Sequence, residues 1–198
     1  GKSDLVTCDA EHVKEAIRRL GAVPEKIQLV NFGVDTRKFS PKKKSVKLLT
    51  KLGIRNSSSV ISLRNLDPLY DVETLIRSIP LVQKEIPESK FLIAGKGSEE
   101  MRLKDLAASL GVSDNTKFLG FIANDALPEY LNSVDVYVST SPADAGLSAS
   151  TAEAMACGMP VIVTDVADNR KWRDHDVNGF AVPTSDPKRD AGKNSYRR

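Results

Sequence analysis

The chain of 198 residues has little of what several common classes of protein depend on. Its two cysteines, Cys8 and Cys157, lie far apart and form neither a disulfide framework nor a metal-binding motif. It has two histidines, and no Ser/His/Asp or Cys/His set with a shared location, so a hydrolase has no support. The formal net charge of +3 permits an anionic ligand but does not indicate a nucleic-acid partner.

Long hydrophobic runs are also missing. No apolar run reaches the ~20 residues of a membrane-spanning helix, and the first residues show no signal-peptide pattern. We therefore expect a cytoplasmic chain. The composition, with 40% hydrophobic and 28% charged residues, is typical of a globular protein with one or two domains.

Strand-like and helix-like segments alternate along the chain. Apolar runs predict strands at 26–31, 59–63, 90–94, 116–120, 134–139, 160–164 and 179–183. Helical patterns lie at 10–20, 45–52, 72–85, 98–110, 126–132, 148–157 and 169–173. The alternation predicts an α/β fold, with a parallel sheet that has helices on both faces. Uninterrupted apolar runs such as "FLIA" and "VIVT" fit strands covered on both sides.

Two segments depart from this alternation. Thr36–Ser45 is polar and contains Pro41 and three successive lysines, which predicts a linker or domain entry. We interpret the lysine run as a solvated face. The last residues, 191–198, have no helical period and are expected to form a frayed or truncated tail.

Polar residues and glycines follow the predicted strands, where ligands of a parallel α/β sheet bind. These candidates for a site are Arg64, Asn65, Gly95, Lys96, Phe121, Asp144 and Gly146. None is a strong signal alone, and their shared placement at one edge of the sheet is the argument for a site. Gly95-Lys96-Gly97 lacks the rest of a dinucleotide fingerprint, and most such pairs are turns.

The predicted helix 148–157 is the best single element of this edge. Ser148 suits its N-cap, and the small residues beside it leave room for a phosphate at the free N–H groups and the positive dipole end. Tight packing of those small residues on the sheet is the alternative interpretation. Glu153, in the second turn, either complements the helix dipole or accepts hydrogen bonds from a ribose diol.

A possible metal motif is weaker. Asp174, His175 and Asp176 precede Asn178-Gly179, a strong turn signal, so a solvated turn is the better interpretation and no metal site is expected.

The block "STAEAMACGMPVIVTDVADNRKWRDHDVNGFAVP" closely resembles the donor-binding region of retaining GT-B-fold glycosyltransferases of family 4, the glycosyl transferases group 1. Supporting matches precede it in the expected order: "FGVDTRKFSP", "VISLRNLDPLYDVETLI" and "KFLIAGKGSEE". The resemblance implies two Rossmann-like domains in the family, of which this chain holds the second. Residues 1–36 would be the end of the N-terminal domain with the interdomain connection, and residues 37–190 the nucleotide-sugar donor-binding domain.

The resemblance also implies roles for single residues. Glu153 would match the second glutamate of the family's E-x7-E motif, which holds the ribose. Gly146 and Leu147 would lie against the donor phosphates and sugar, with Ser148 nearby. Phe121 and Ile122 would match the segment that meets the base.

The chain departs from the family pattern at three sites. The first glutamate of E-x7-E falls on Ala145, with Asp144 one residue earlier. The family's arginine and lysine fall on Asn65 and Tyr70, with Arg64 one residue out of register. We expect Arg64 still to reach the diphosphate, and Lys96 to add positive charge. The asparagine of the family's N-G-V-D turn is Phe32 here.

The implied function is the donor-binding domain of a metal-independent hexosyltransferase that moves a sugar from a UDP-, GDP- or ADP-linked donor with retention and needs no cofactor. No catalytic residue is identified, and the fragment is expected to lack the acceptor domain and most activity. A glycan or lipid-linked acceptor, and peripheral membrane association of the full-length enzyme, stay open. The alternatives are a non-catalytic flavodoxin-like binding module and a GT-B sugar-nucleotide epimerase.

Overall fold

The computed structural model describes residues 3–144, 146–166, 168–172 and 178–188. Its strands are β1 Val6–Cys8, β2 Ile27–Leu29, β3 Ser59–Leu63, β4 Lys90–Ala94, β5 Thr116–Gly120, β6 Val136–Ser139, β7 Val161–Thr164 and β8 Gly179–Val182. Its α-helices are α1 Glu11–Arg19, α2 Val46–Leu52, α3 Val72–Glu85, α4 Glu100–Ser109, α5 Leu127–Ser133, α6 Ala149–Ala156 and α7 Asn169–Trp172. The tail 191–198 and the Asp174–Asp176 motif lie outside the described residues.

The strands form two parallel sheets. β1 and β2 pair with each other, while the larger sheet has the order β5-β4-β3-β6-β7-β8. The chain runs from β3 outward to β5 and then returns to the other side of β3 with β6. The strand order therefore reverses between β3 and β6, and ligands of open α/β sheets bind beyond the strand ends at such a point.

Central strands bury both of their faces, as the uninterrupted apolar runs predict. Successive side chains of a strand point to opposite faces, so Val60 joins one core and the next residue, Ile61, joins the other. Helices α3 and α4 cover the first core, and α2, α5 and α6 cover the second. The predicted α/β arrangement with helices on both faces is confirmed.

The observed element bounds differ from the predicted ones by at most two residues within the described ranges. The helix predicted at 98–110 begins only at Glu100. Ser98 is held in the preceding loop, because its N–H and its hydroxyl both donate to Asp67 Oδ1 at 2.8 Å. Glu99 is held there as well, since its N–H donates to the Leu66 carbonyl at 2.8 Å. No helix among the described residues is long and apolar enough to span a bilayer.

The polar segment Thr36–Ser45 is irregular but docked on the larger sheet unit. Phe39 is 3% exposed and belongs to the second core. The N–H of Lys42 donates to Asn132 Oδ1 at 2.5 Å, and the N–H of Ser45 donates to Ser133 Oγ at 3.0 Å. Both acceptors belong to α5, so the segment is fastened to the sheet at several points.

Candidate functional site

Two adjoining cavities open beyond the strand ends, and both include Leu63, Arg64 and Asn65 in their walls; we call them together the cleft. The larger, of about 420 Å³, is completed by Leu69, Tyr70, Ala143 and Asp144. The smaller, of about 160 Å³, is completed by Ala94, Gly95, Phe121, Ile122, Leu127 and Ser150. Six candidate residues therefore meet here: Arg64, Asn65, Gly95, Phe121, Ile122 and Asp144. Within the described ranges, no group of three or more His, Cys, Asp or Glu side chains is placed to hold a metal ion.

An ion pair between Arg64 and Asp144 spans the reversal of strand order. Arg64 follows β3 and Asp144 follows β6. Nη2 of Arg64 donates to Asp144 Oδ1 at 2.5 Å, with side chains only 7% and 10% exposed. Burial raises the pKa of the Asp144 carboxyl, and the Arg64 charge offsets only part of that rise. The charge of Arg64 is thus already matched inside the protein.

Tyr70 lines the cleft but was not among the site residues expected from the sequence. Its ring centroid lies 4.7 Å from the guanidinium carbon of Arg64, a cation–π distance. The ring is presented by the 3₁₀ turn Pro68–Tyr70, just before Asp71 caps α3. Arg64 Nε is buried and has no hydrogen-bond acceptor among the described residues. The position where the family pattern has a lysine therefore supplies an aromatic face to the neighbouring arginine.

The loop Gly95-Lys96-Gly97 interlocks with the loop that holds Arg64. A Cβ atom on Gly95 would lie 2.1 Å from the Arg64 carbonyl oxygen, and one on Gly97 would lie 2.2 Å from the Leu66 carbonyl carbon. The N–H of Leu66 donates to the Lys96 carbonyl at 2.9 Å. The two glycines therefore permit a close backbone contact that positions Arg64, while the Lys96 side chain is exposed.

The N-terminus of α6 has the predicted cap. Ser148 Oγ accepts the N–H of Thr151 at 3.3 Å and lies 2.6 Å from its hydroxyl, and Leu147 before it is half-buried. Gly146 approaches the small sheet unit, since a Cβ atom there would lie 2.9 Å from the Asp9 carbonyl oxygen. Glycine at this position therefore serves a contact between two parts of the chain, which its sequence context did not reveal.

Glu153 lies one turn further along α6 and is half-buried. Asn124 Nδ2 donates to Glu153 Oε1 at 3.5 Å, and Lys38 Nζ in turn bonds Asn124 Oδ1. Burial raises the pKa of Glu153, and Asn124 and Lys38 work in the opposite direction. Lys38 and Asn124 are further neighbours that sequence reasoning missed. Ala145, where the family pattern has its first glutamate, lies outside the described residues.

Comparison with known families decides the classification of this fold and cleft. The sequence model described as glycosyl transferases group 1 matches residues 47–193, which is most of the chain. The chain belongs to the glycosyl transferases group 1 family. The match confirms, at the level of the group 1 family, the resemblance that the motifs of this domain indicate.

Curated relatives of this group 1 protein are about twice as long as the chain. An uncharacterized glycosyltransferase of Methanocaldococcus jannaschii is 30% identical over 184 residues, which are 90% of this chain and 46% of that protein. A GDP-mannose-dependent alpha-(1-6)-phosphatidylinositol monomannoside mannosyltransferase of Mycobacterium tuberculosis is 25% identical over 187 residues, covering 91% of this chain and 49% of the relative. The chain spans about half the length of the curated relatives it matches.

A similar solved structure is that of Anabaena HepE in complex with UDP and glucose. It superposes with a TM-score of 0.85 at 26% identity and covers 96% of this chain and 52% of HepE. The prediction of a Rossmann-like parallel sheet that forms the C-terminal half of a GT-B fold is confirmed.

Proposed function

We propose that this group 1 domain binds the nucleotide-sugar donor of a hexosyltransferase of family 4 that retains the anomeric configuration. The observation that carries this proposal is the cleft at the reversal of strand order, with the buried Arg64 between its two cavities. The UDP complex of Anabaena HepE, which has the same fold, supports a nucleotide-linked donor. Family membership favours neither the epimerase nor the non-catalytic module.

The order of residues along the cleft suggests how the donor lies. The base meets Phe121 and Ile122 in the smaller cavity, and Glu153 accepts hydrogen bonds from the ribose hydroxyls. The diphosphate lies between Arg64 and the N-terminus of α6. The sugar extends into the larger cavity, which Asp144 lines.

The proposed chemistry depends on electrostatics. As the glycosidic bond breaks, negative charge grows on the β-phosphate of the leaving nucleoside diphosphate. The Arg64 guanidinium and the N–H groups and dipole of α6 stabilise that charge. The proposal assigns no catalytic base and requires no metal ion or cofactor for this step.

The proposed division of the chain follows its two sheets. Residues 1–36 are the end of an N-terminal acceptor domain with its connection, and residues 37–190 form the donor-binding domain. A glycan or lipid-linked acceptor fits the proposal, and the mannosyltransferase relative named for a phosphatidylinositol mannoside supports the lipid-linked case. With such an acceptor, the full-length enzyme works in the cytoplasm at the membrane surface.

Titration calorimetry with UDP-, GDP- and ADP-glucose and with GDP-mannose tests the donor site. We expect one nucleotide class to bind, and Glu153→Ala to weaken it at least several-fold because two hydrogen bonds to ribose are lost. The matched control is Glu85→Ala, which removes an exposed acid at the far end of α3. Absence of binding at millimolar donor, or an unchanged affinity of Glu153→Ala, contradicts the proposal.

Transfer by the chain alone is expected to be slow. Without an acceptor domain, the cleft cannot position an acceptor or exclude water from the reaction. Release of nucleoside diphosphate in the presence of acceptor measures this, and rapid turnover by the isolated chain would contradict the proposed division into domains.

A further inference from the structure

Arg64 already has an anionic partner at the place that the proposed function gives to the diphosphate. Among the lining side chains that the structure describes, Arg64 is the one cation of the two cavities and Asp144 the one anion, so their charges cancel. Tyr70, where the family pattern has lysine, contributes a ring and no charge. A diphosphate that entered beside the intact pair would meet a buried carboxylate, and like charges in a low-dielectric site repel strongly.

Arg64 is the fixed member of this pair. Its carbonyl is locked against Gly95, its guanidinium lies on the Tyr70 ring, and its side chain is 7% exposed. Its buried Nε has no acceptor among the described residues, so the group has more donors than Asp144 uses.

Asp144 is held less firmly. In the loop after β6, the hydroxyl of Ser141 donates to the carbonyl of Ala143, the residue before Asp144, at 3.0 Å. Within the described part of the chain, the Asp144 carboxylate bonds Arg64 alone. Movement of Asp144 therefore costs one charge-assisted hydrogen bond, whereas movement of Arg64 disturbs the interlocked loops.

We infer that Asp144 is an internal competitor of the donor: its carboxylate occupies Arg64 until a donor phosphate replaces it. This inference rests on the proposed donor site and adds a specificity-determining residue to it. The exchange makes the affinity of the cleft for anions lower than Arg64 alone would give. It also restricts the effect to ligands with a phosphate that can reach the guanidinium.

The test compares the affinities of UDP, GDP and ADP for the wild-type chain and for Asp144→Asn by titration calorimetry. We expect the variant to bind its nucleoside diphosphate roughly tenfold more tightly, the worth of one charge-assisted hydrogen bond that no longer has to be broken. The corresponding nucleoside, which has no phosphate, should bind both proteins equally. Asp105→Asn removes an exposed acid of α4 and controls for the change in net charge.

Coupling between the two residues gives a second readout. In an Arg64→Ala background, Asp144→Asn should strengthen diphosphate binding by much less than the roughly tenfold expected with Arg64 present, because it then removes only the repulsion by the carboxylate and no competition for the guanidinium. Thermal unfolding confirms that each variant is folded. Asp144→Ala replaces Asp144→Asn if the amide variant does not fold, with the same expected direction.

The outcomes separate this inference from the function it rests on. If the wild type binds a nucleotide and neither Asp144 variant binds it more tightly, the competitor role is overturned while the donor site stands. A gain as large in the Arg64→Ala background as with Arg64 present, or a gain that appears equally with the nucleoside, also overturns it. If no protein binds any of the three diphosphates, the donor site is refuted and the competitor role with it.

Discussion

The ring of Tyr70 covers one face of the Arg64 guanidinium, with 4.7 Å between the ring centroid and the guanidinium carbon. The family pattern has a second cation at the position of Tyr70. Here a ring that fixes the first cation takes its place, so the shifted arginine and the lost lysine belong to one arrangement. The cleft therefore holds its guanidinium firmly, but it has one positive charge fewer than the family pattern.

Tyr70→Ala should lower the free energy of unfolding by about 0.5–2 kcal/mol, because the stacking contact with Arg64 is lost. It should also weaken nucleoside diphosphate binding, since the guanidinium is no longer fixed. Tyr70→Phe keeps the ring and should behave like the wild type. Chemical denaturation and calorimetry measure both effects, and a phenylalanine variant as weak as the alanine variant would assign the effect to the hydroxyl.

Gly95→Ala should be strongly destabilising, by about 2–4 kcal/mol, because it combines a disallowed backbone conformation with a backbone clash. The φ angle of Gly95 is +146° and the added Cβ atom would lie 2.1 Å from the Arg64 carbonyl oxygen. Gly33→Ala is the matched control, since a Cβ atom there meets nothing within 4 Å. Urea denaturation compares the two, and equal stabilities would show that the loops are not interlocked.

Asp135 and Asp125 both pair with a lysine, yet only one should matter for stability. Asp135 Oδ2 also accepts the N–H and the hydroxyl of the buried Ser59, each at 2.9 Å. Asp135→Ala should therefore cost roughly 1–3 kcal/mol, because buried donors lose their acceptor. Asp125, whose side chain is 98% exposed, should tolerate alanine with no measurable change in Tm. A larger loss in Asp125→Ala than in Asp135→Ala would reverse this interpretation.

Glu153→Gln should raise Tm at neutral pH while it weakens donor binding. Burial raises the pKa of Glu153 above its ordinary value of 4.5, so the folded protein binds the proton more readily than the unfolded chain. Wild-type stability therefore falls as pH rises from 4.5 through the raised value, and the loss is complete above it. The Glu153→Gln variant does not lose stability in this way, so its higher Tm relative to the wild type should disappear below about pH 4. A Tm difference that stays constant with pH would contradict this account.

The fold follows from local patterns in the sequence. Uninterrupted apolar runs mark strands buried on two faces, and single residues such as Ser45, Ser148 and Gly111 mark helix ends. Because parallel strands end at one edge of the sheet, the order of the segments was also sufficient to predict that Arg64, Gly95 and Phe121 meet there.

The contacts of loop side chains could not be predicted in the same way. Tyr70 packs on Arg64 from the same loop, and Asp144 reaches Arg64 from the loop after another strand, 80 positions away. Nothing in the residue types fixes the register of such contacts, because they depend on the twist of the sheet and on loop shape. Lys38 illustrates the same limit: the composition of Thr36–Ser45 predicts a linker that contains Lys38, whereas the structure places Lys38 near Glu153 through Asn124.

The docked segment Thr36–Ser45 shortens the connection between the two sheet units. Its hydrogen bonds to α5 make it part of the larger sheet unit. On the other side, the N–H of Val30 donates to the Cys8 carbonyl of the small sheet at 2.8 Å. The connection between the two units is therefore reduced to residues 31–33, which end in a glycine with open space around it. This connection is three residues long and precedes the stretch whose composition resembles a flexible tether.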